Sequence, residues 1–145
     1  MIDSISSCAR AATAEEARYR IDRPIGGRSA RIIALDDAAA EVVLRVAAMP
    51  WGASRFYADA SDFDAARDLD DADVAIMIGT AHADGDTARS IARACAERGI
   101  MTAGLILGDR LDVVDAVSAL RPYARNLMVT EDEDDVAAVL TALRA

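Results

Sequence analysis

Apolar and polar positions along the chain follow two different periods. Near-continuous apolar runs of strand length recur as ARIIAL, DVAIMIG, IMTAGLIL and NLMVT, and the less apolar segment SRFYADA, also of strand length, lies between the first two. Between the runs, apolar residues recur every three or four positions, as they do in amphipathic helices. This alternation predicts a single α/β domain, with a five-stranded parallel sheet in the order 2-1-3-4-5 and helices on both faces, in a Rossmann-like three-layer arrangement.

The predicted domain covers residues 29–145, and residues 1–28 are interpreted as an N-terminal extension. Thr13 and Glu16 have the spacing of a capping box, which predicts a short helix that ends before Pro24.

Composition excludes several classes of function. The 16 basic residues are all arginine, so a Walker-type phosphate lysine and a Schiff-base lysine are both excluded. A formal net charge of −9 argues against nucleic acids and anionic membranes as partners, because both would be repelled. Cys8 and Cys95 are too few for a zinc site or a disulfide framework, and no apolar run has transmembrane length. We therefore expect a cytoplasmic protein with reduced thiols.

The central strand–loop–helix segment is the first place to look for a site. In parallel α/β units, ligands bind at the carboxyl end of a strand, against the N-terminus of the next helix. The residues that occupy these positions after the first and third strands are Asp36, Asp37, Gly79, Thr80, His82, Asp84, Gly85, Asp86 and Thr87. His82 is the only histidine and lacks a placed nucleophile, so we interpret it as an exposed loop residue.

Several segments resemble, in the correct order, the nucleotide-binding half of the FtsZ/tubulin family. DADVAIMIG is similar to the strand before the family's glycine-rich loop, IARACAERGIMTAGLIL to its helix and "GILTVGVV" strand, and LRPYARNLMV to its "LIVIPN" strand. RFYADASDFDAA is similar to "FVAANTDAQAL", with Ser61 and Asp62 at the positions of its Thr and Asp. The resemblance runs from about Ser29 to Ala145. It implies bound GTP or GDP, and it implies that Asp132 accepts hydrogen bonds from a guanine edge.

The phosphate-binding loops depart from the family pattern. The segment from Asp36 to Val42, DDAAAEV, stands where the family has a glycine-rich turn, and TAHADGD replaces the family's GGGTGTG. Only Gly79 and Gly85 remain to let backbone amides approach a phosphate. The family's second domain, which supplies the catalytic loop, is not in this sequence. GTP hydrolysis by the family's mechanism is therefore not expected.

The aspartates at the two helix starts support two interpretations. In the first, Asp36, Asp37, Asp84 and Asp86 cap the free amides that a phosphate would otherwise occupy. In the second, Asp36, Asp37 and Asp84 hold Mg²⁺, as in a magnesium-dependent enzyme or a receiver-like regulatory domain. The receiver pattern is incomplete, because the central strand ends in Gly79 rather than aspartate and no lysine exists.

The sequence therefore predicts an FtsZ/tubulin-like domain with degenerate phosphate loops that is not a competent GTPase. Its expected role is weak nucleotide binding or protein interaction, in which it forms a homodimer or binds another protein.

Overall fold

A computed structural model describes residues 29–143 and confirms the predicted fold. The sheet has five parallel strands in the order β2-β1-β3-β4-β5. The strands are β1 (Ala30–Ala34), β2 (Arg55–Tyr57), β3 (Val74–Gly79), β4 (Met101–Leu107) and β5 (Asn126–Thr130). The helices are α1 (Asp37–Ala47), α2 (Ala65–Asp68), α3 (Gly85–Glu97), α4 (Val114–Leu120) and α5 (Glu133–Ala142), and a 3-10 turn covers Ala60–Asp62. The predicted N-terminal helix lies outside the described residues.

Helices cover the sheet on both faces, as the three-layer prediction requires. Successive side chains of a strand point to opposite faces, so each central strand contributes to two cores. One core joins Ile32, Ile76 and Leu105 to α1 and α5. The other joins Ile33, Met77 and Ile106 to α2, α3 and α4, and it includes Cys95. Every residue of β1 and β3 is buried, which explains why their sequences are nearly continuous apolar runs.

The apolar spacing from Leu111 to Leu120 predicts a helix there, and Thr130 and Glu133 have the capping-box spacing of a last helix, but both predicted starts were wrong. The fourth helix begins at Val114 rather than Leu111, because the carboxylate of Asp109 accepts the amide of Leu111 at 2.8 Å and forms a turn before the helix. The last helix is capped by Asp132 rather than Thr130, since the Asp132 carboxylate accepts the amide of Asp134 at 2.9 Å.

No helix within residues 29–143 is long and apolar enough to cross a membrane.

Candidate functional site

Two helices begin at the edge of the sheet where the carboxyl ends of its central strands lie. β1 and β3 are neighbours, and each leads directly into a helix, α1 after β1 and α3 after β3. These two helices pack on opposite faces of the sheet. A crevice between helices that diverge in this way is the usual ligand site of an open parallel sheet, so this carboxyl edge is the candidate site.

Both carboxylate oxygens of Asp36 accept hydrogen bonds at this edge. Its Oδ1 accepts the amide of Ala39 at 2.8 Å and thereby caps α1. Its Oδ2 accepts the amide of Thr80, in the turn after β3, at 2.7 Å. One half-buried carboxylate therefore satisfies amides from both turns that border the crevice.

The loop after β3 is packed against itself. The carbonyl of Thr80 accepts the amide of Ala83 at 3.1 Å, and the Thr80 hydroxyl accepts the amide of His82 at 3.3 Å. A β-carbon added to Gly79 would lie 2.6 Å from the β-carbon of Ala83. Gly79 thus makes room for the loop's own alanine, which differs from the predicted role of admitting a phosphate. His82 is exposed, as predicted, and its ring makes no hydrogen bond within the described residues.

The start of α3 is also occupied by a carboxylate. Asp84 is the N-cap residue: its Oδ1 accepts the amide of Asp86 at 3.0 Å and its Oδ2 accepts the hydroxyl of Thr87 at 2.7 Å. The Thr87 hydroxyl, followed by the Asp86 amide, lowers the pKa of Asp84. Gly85 is the first residue of α3, where an added β-carbon would make only ordinary contact, 3.5 Å from Ala119.

Only two of the four aspartates predicted to cap these helices do so. Asp36 caps α1 and Asp84 caps α3. Asp37 and Asp86 are exposed in the first turns and form no cap bond, and Asp86 instead lies 3.4 Å from the guanidinium of Arg89. The position immediately before a helix allows a side chain to turn back to the free amides, whereas the next positions point the side chain away from them.

The structure does not assemble the predicted magnesium site. Among residues 29–143, no three histidine, cysteine, aspartate or glutamate side chains are grouped closely enough to hold a metal ion. Asp36, Asp37 and Asp84 therefore do not form a triad, and the oxygens of Asp36 and Asp84 are engaged by the hydrogen bonds described above.

Three of the predicted residues meet in a neighbouring cleft. Ser61, Asp86 and Thr87 line an open cavity of about 500 Å³ between the 3-10 turn and α3, and Phe63 and Ile91 contribute its apolar part. The two other residues implied by the family resemblance do not line it. Asp62 is exposed nearby, and Asp132 lies at the start of α5 beside a different cavity.

Sequence reasoning missed a buried polar cluster near the amino ends of the strands, at the other end of the sheet from the candidate site. Arg31, the second residue of β1, is 1% exposed, and its Nε donates to the carbonyl of Asp68 at 2.6 Å. The Asp68 carboxylate accepts Nε and Nη2 of Arg67, each at 3.0 Å, and the amide of Asp64 at 2.8 Å. The Arg67 contact is the largest reason that the pKa of Asp68 falls to about 2. A single arginine inside the apolar run ARIIAL was the available signal.

Cys95 is buried in the core and is not placed as an exposed nucleophile. Burial raises the pKa of the Cys95 thiol to about 11, so the thiol stays protonated, and its position in the core separates it from the carboxyl edge.

No protein-family model, curated protein or solved structure matches the chain.

Proposed function

We propose that this chain is a protein-interaction module of FtsZ/tubulin type, in which the protein's own carboxylates occupy the places of nucleotide phosphates. It binds nucleotide weakly and does not hydrolyse GTP. The proposal combines the family resemblance of residues 29–145 with the expected α/β fold, which the described residues adopt.

The observation that carries the proposal is the double hydrogen bond of Asp36. Phosphate sites in such folds use free amides at a helix N-terminus and in the adjacent loops. Here the amides of Ala39 and Thr80 already have a negatively charged acceptor, and the amide of Asp86 has a second one in Asp84. A phosphate would have to displace these carboxylates.

Electrostatics act in the same direction. Asp36, Asp37, Asp84 and Asp86 all lie within the first turns of the two helices or just before them. No lysine exists in the chain to offset them, and Arg89 is already paired with Asp86. A nucleoside triphosphate that approaches this edge is repelled by these negatively charged aspartates, which weakens its binding.

The loops also favour an interaction role over a catalytic one. Hydrogen bonds within the segment from Thr80 to Ala83 join Thr80 to His82 and Ala83. The side chain of Ala83 occupies the space beside Gly79 where a larger residue would place its β-carbon. A loop whose amides of Thr80, His82 and Ala83 already have acceptors offers few groups to a phosphate, whereas a phosphate-binding loop must leave its amides available.

Calorimetric titration of the purified chain with GTP and Mg²⁺ tests the nucleotide part of the proposal. We expect a dissociation constant no tighter than about 100 μM, so that 1 mM GTP would stabilise the fold by only about 1.4 kcal/mol. Light scattering should not rise on addition of GTP and Mg²⁺. Tight, stoichiometric GTP binding or measurable phosphate release would overturn the proposal.

A further inference from the structure

The outer edge of β5 is open in the described part of the chain. β5 pairs with β4 on one side and with no strand of residues 29–143 on the other. Proteins usually protect such edges with charged residues or proline. The strand NLMVT contains neither, and its central residue, Met128, is 42% exposed. This edge can therefore accept another strand.

The open side of β5 presents the main-chain groups of Leu127 and Val129. The carbonyl of Thr130 accepts the amide of Gly108, at the end of β4, at 2.9 Å. Main-chain groups of successive residues in a strand alternate between its two sides, so Met128 also bonds toward β4. Antiparallel pairing of two copies around a twofold axis at Met128 then joins Leu127 of each copy to Val129 of the other.

The same register brings opposite charges together. Arg125 and Glu131 immediately flank β5 at equal distances from Met128, so with Met128 on the axis Arg125 of each copy comes near Glu131 of the other. Both residues are exposed, and neither side chain has a hydrogen-bond or ion-pair partner among residues 29–143. Opposite charges at facing positions stabilise a strand pair. A slip of the register by two residues would separate both pairs, so the charges favour this register.

Apolar surface beside the edge supports the same arrangement. Met128, Val139, Ala138 and Ala142 line a groove of about 350 Å³ between β5 and α5. At the axis the two copies of Met128 form the close, non-hydrogen-bonded pair of the ladder, where side chains approach most nearly. Each Met128 would then cover part of the other copy's groove.

We propose that two copies of this chain dimerise by antiparallel pairing of β5 with β5, which joins the two sheets into one. The inference rests on the interaction-module function and specifies its partner as a second copy. It requires no nucleotide, so its test and the GTP titration succeed or fail separately. A monomer that binds GTP weakly would refute only the dimer, and a β5-linked dimer that binds GTP tightly would refute only the proposed function.

Sedimentation equilibrium of the full chain, from about 1 μM to about 1 mM, covers the range in which such dimers dissociate. Arg125→Glu alone and Glu131→Arg alone each create two like-charge pairs per dimer, and each should raise the dissociation constant at least about fivefold. The double variant restores both pairs and should return the constant to within about twofold of the wild-type value. Glu41→Arg, which makes the same charge change as Glu131→Arg at an exposed position on α1, should leave it unchanged.

A second variant tests the strand edge itself. Val129→Pro removes an amide that points to the open side and is not part of the β4 ladder, so the fold should survive while the dimer is lost. Far-ultraviolet circular dichroism verifies folding, and if this variant unfolds, the charge swap decides the question. A wild-type chain that stays monomeric throughout, or a double variant as weak as the single variants, would overturn the proposal.

Discussion

The carboxylate of Asp36 accepts the amide of Thr80 at 2.7 Å, although the two residues are 44 positions apart in the sequence. The bond joins the turn after β1 to the turn after β3, across the centre of the sheet. Because the second oxygen of Asp36 caps α1 through Ala39, a single side chain links the start of α1 to the turn after β3. The edge that would bind an anion in this type of fold is held together by an anion of the protein itself.

Substitutions of Asp36 test its hydrogen bonds to Ala39 and Thr80 separately. Asp36→Asn retains an oxygen that can cap α1, but its amide group cannot accept the Thr80 N–H, so Thr80 exchanges its amide proton faster. Asp36→Ala loses both bonds and should lower the free energy of unfolding by about 1 to 3 kcal/mol. Asp37→Asn, next to it and exposed, is the matched control, and a surface change of this kind should stay within about 0.5 kcal/mol.

Urea unfolding and hydrogen exchange of the three variants provide the measurements. If Asp36→Ala and Asp37→Asn proved equally stable, the role assigned to Asp36 would be wrong.

The two aspartates at the start of α3 should respond differently to removal. Asp84→Ala deletes the N-cap bonds to the Asp86 amide and the Thr87 hydroxyl, so it should lower the melting temperature measurably. Asp86→Ala removes only an exposed pair with Arg89 and should shift the melting temperature by no more than about 1 °C. Equal losses in a thermal melt would mean that Asp86 takes part in the cap.

The sequence was sufficient to predict the sheet because its signal is repeated and redundant. β1 and β3 are buried on both faces, so their runs stay apolar throughout, and the intervening helices carry apolar residues with helical spacing. The identity of the capping residue could not be predicted in the same way. Asp36 and Asp37 are adjacent and chemically identical, and only the exact start of α1 decides which carboxylate reaches Ala39.

The partner of the buried arginine could not be predicted from a pattern, for a different reason. The partner of Arg31 Nε is the main-chain carbonyl of Asp68, and a carbonyl leaves no trace in the sequence. The same limit applies to Thr80, whose amide pairs with a distant carboxylate. Side-chain types can be read from a sequence, but the main-chain groups they meet depend on the completed fold.

Two glycines of the candidate site should respond oppositely to alanine. Gly79→Ala places a β-carbon 2.6 Å from that of Ala83, and such overpacking should cost about 1 to 3 kcal/mol. Gly85 lies in the first turn of α3 with room for a methyl group, so Gly85→Ala should be neutral or stabilise by up to about 1 kcal/mol. Chemical unfolding measures both effects.

The double variant Gly79→Ala/Ala83→Gly serves as the control, because it removes the clashing methyl group. It should recover most of the loss that Gly79→Ala causes. A Gly79→Ala variant as stable as the wild type would contradict the tight loop packing.

The buried carboxylate of Asp68 should make stability depend on pH in the acid range. Its pKa in the folded chain is about 2, below the ordinary value of 3.8, chiefly because Arg67 donates two hydrogen bonds to it. A group whose pKa is lowered by folding stabilises the fold above its unfolded pKa, and this contribution is lost as the pH falls through the folded pKa. The wild-type free energy of unfolding should therefore decline between about pH 4 and about pH 2.

Two variants test this assignment. Asp68→Asn cannot be charged, so its free energy of unfolding at neutral pH should be lower than that of the wild type by about 1 to 3 kcal/mol, and this difference should shrink between about pH 4 and about pH 2. Arg67→Ala removes the main cause of the lowered pKa, so the folded and unfolded pKa values of Asp68 lie closer together and the decline in acid should become smaller. Urea unfolding at closely spaced pH values decides the matter, and a difference between wild type and Asp68→Asn that stays constant down to pH 2 would show that this carboxylate does not have the lowered pKa.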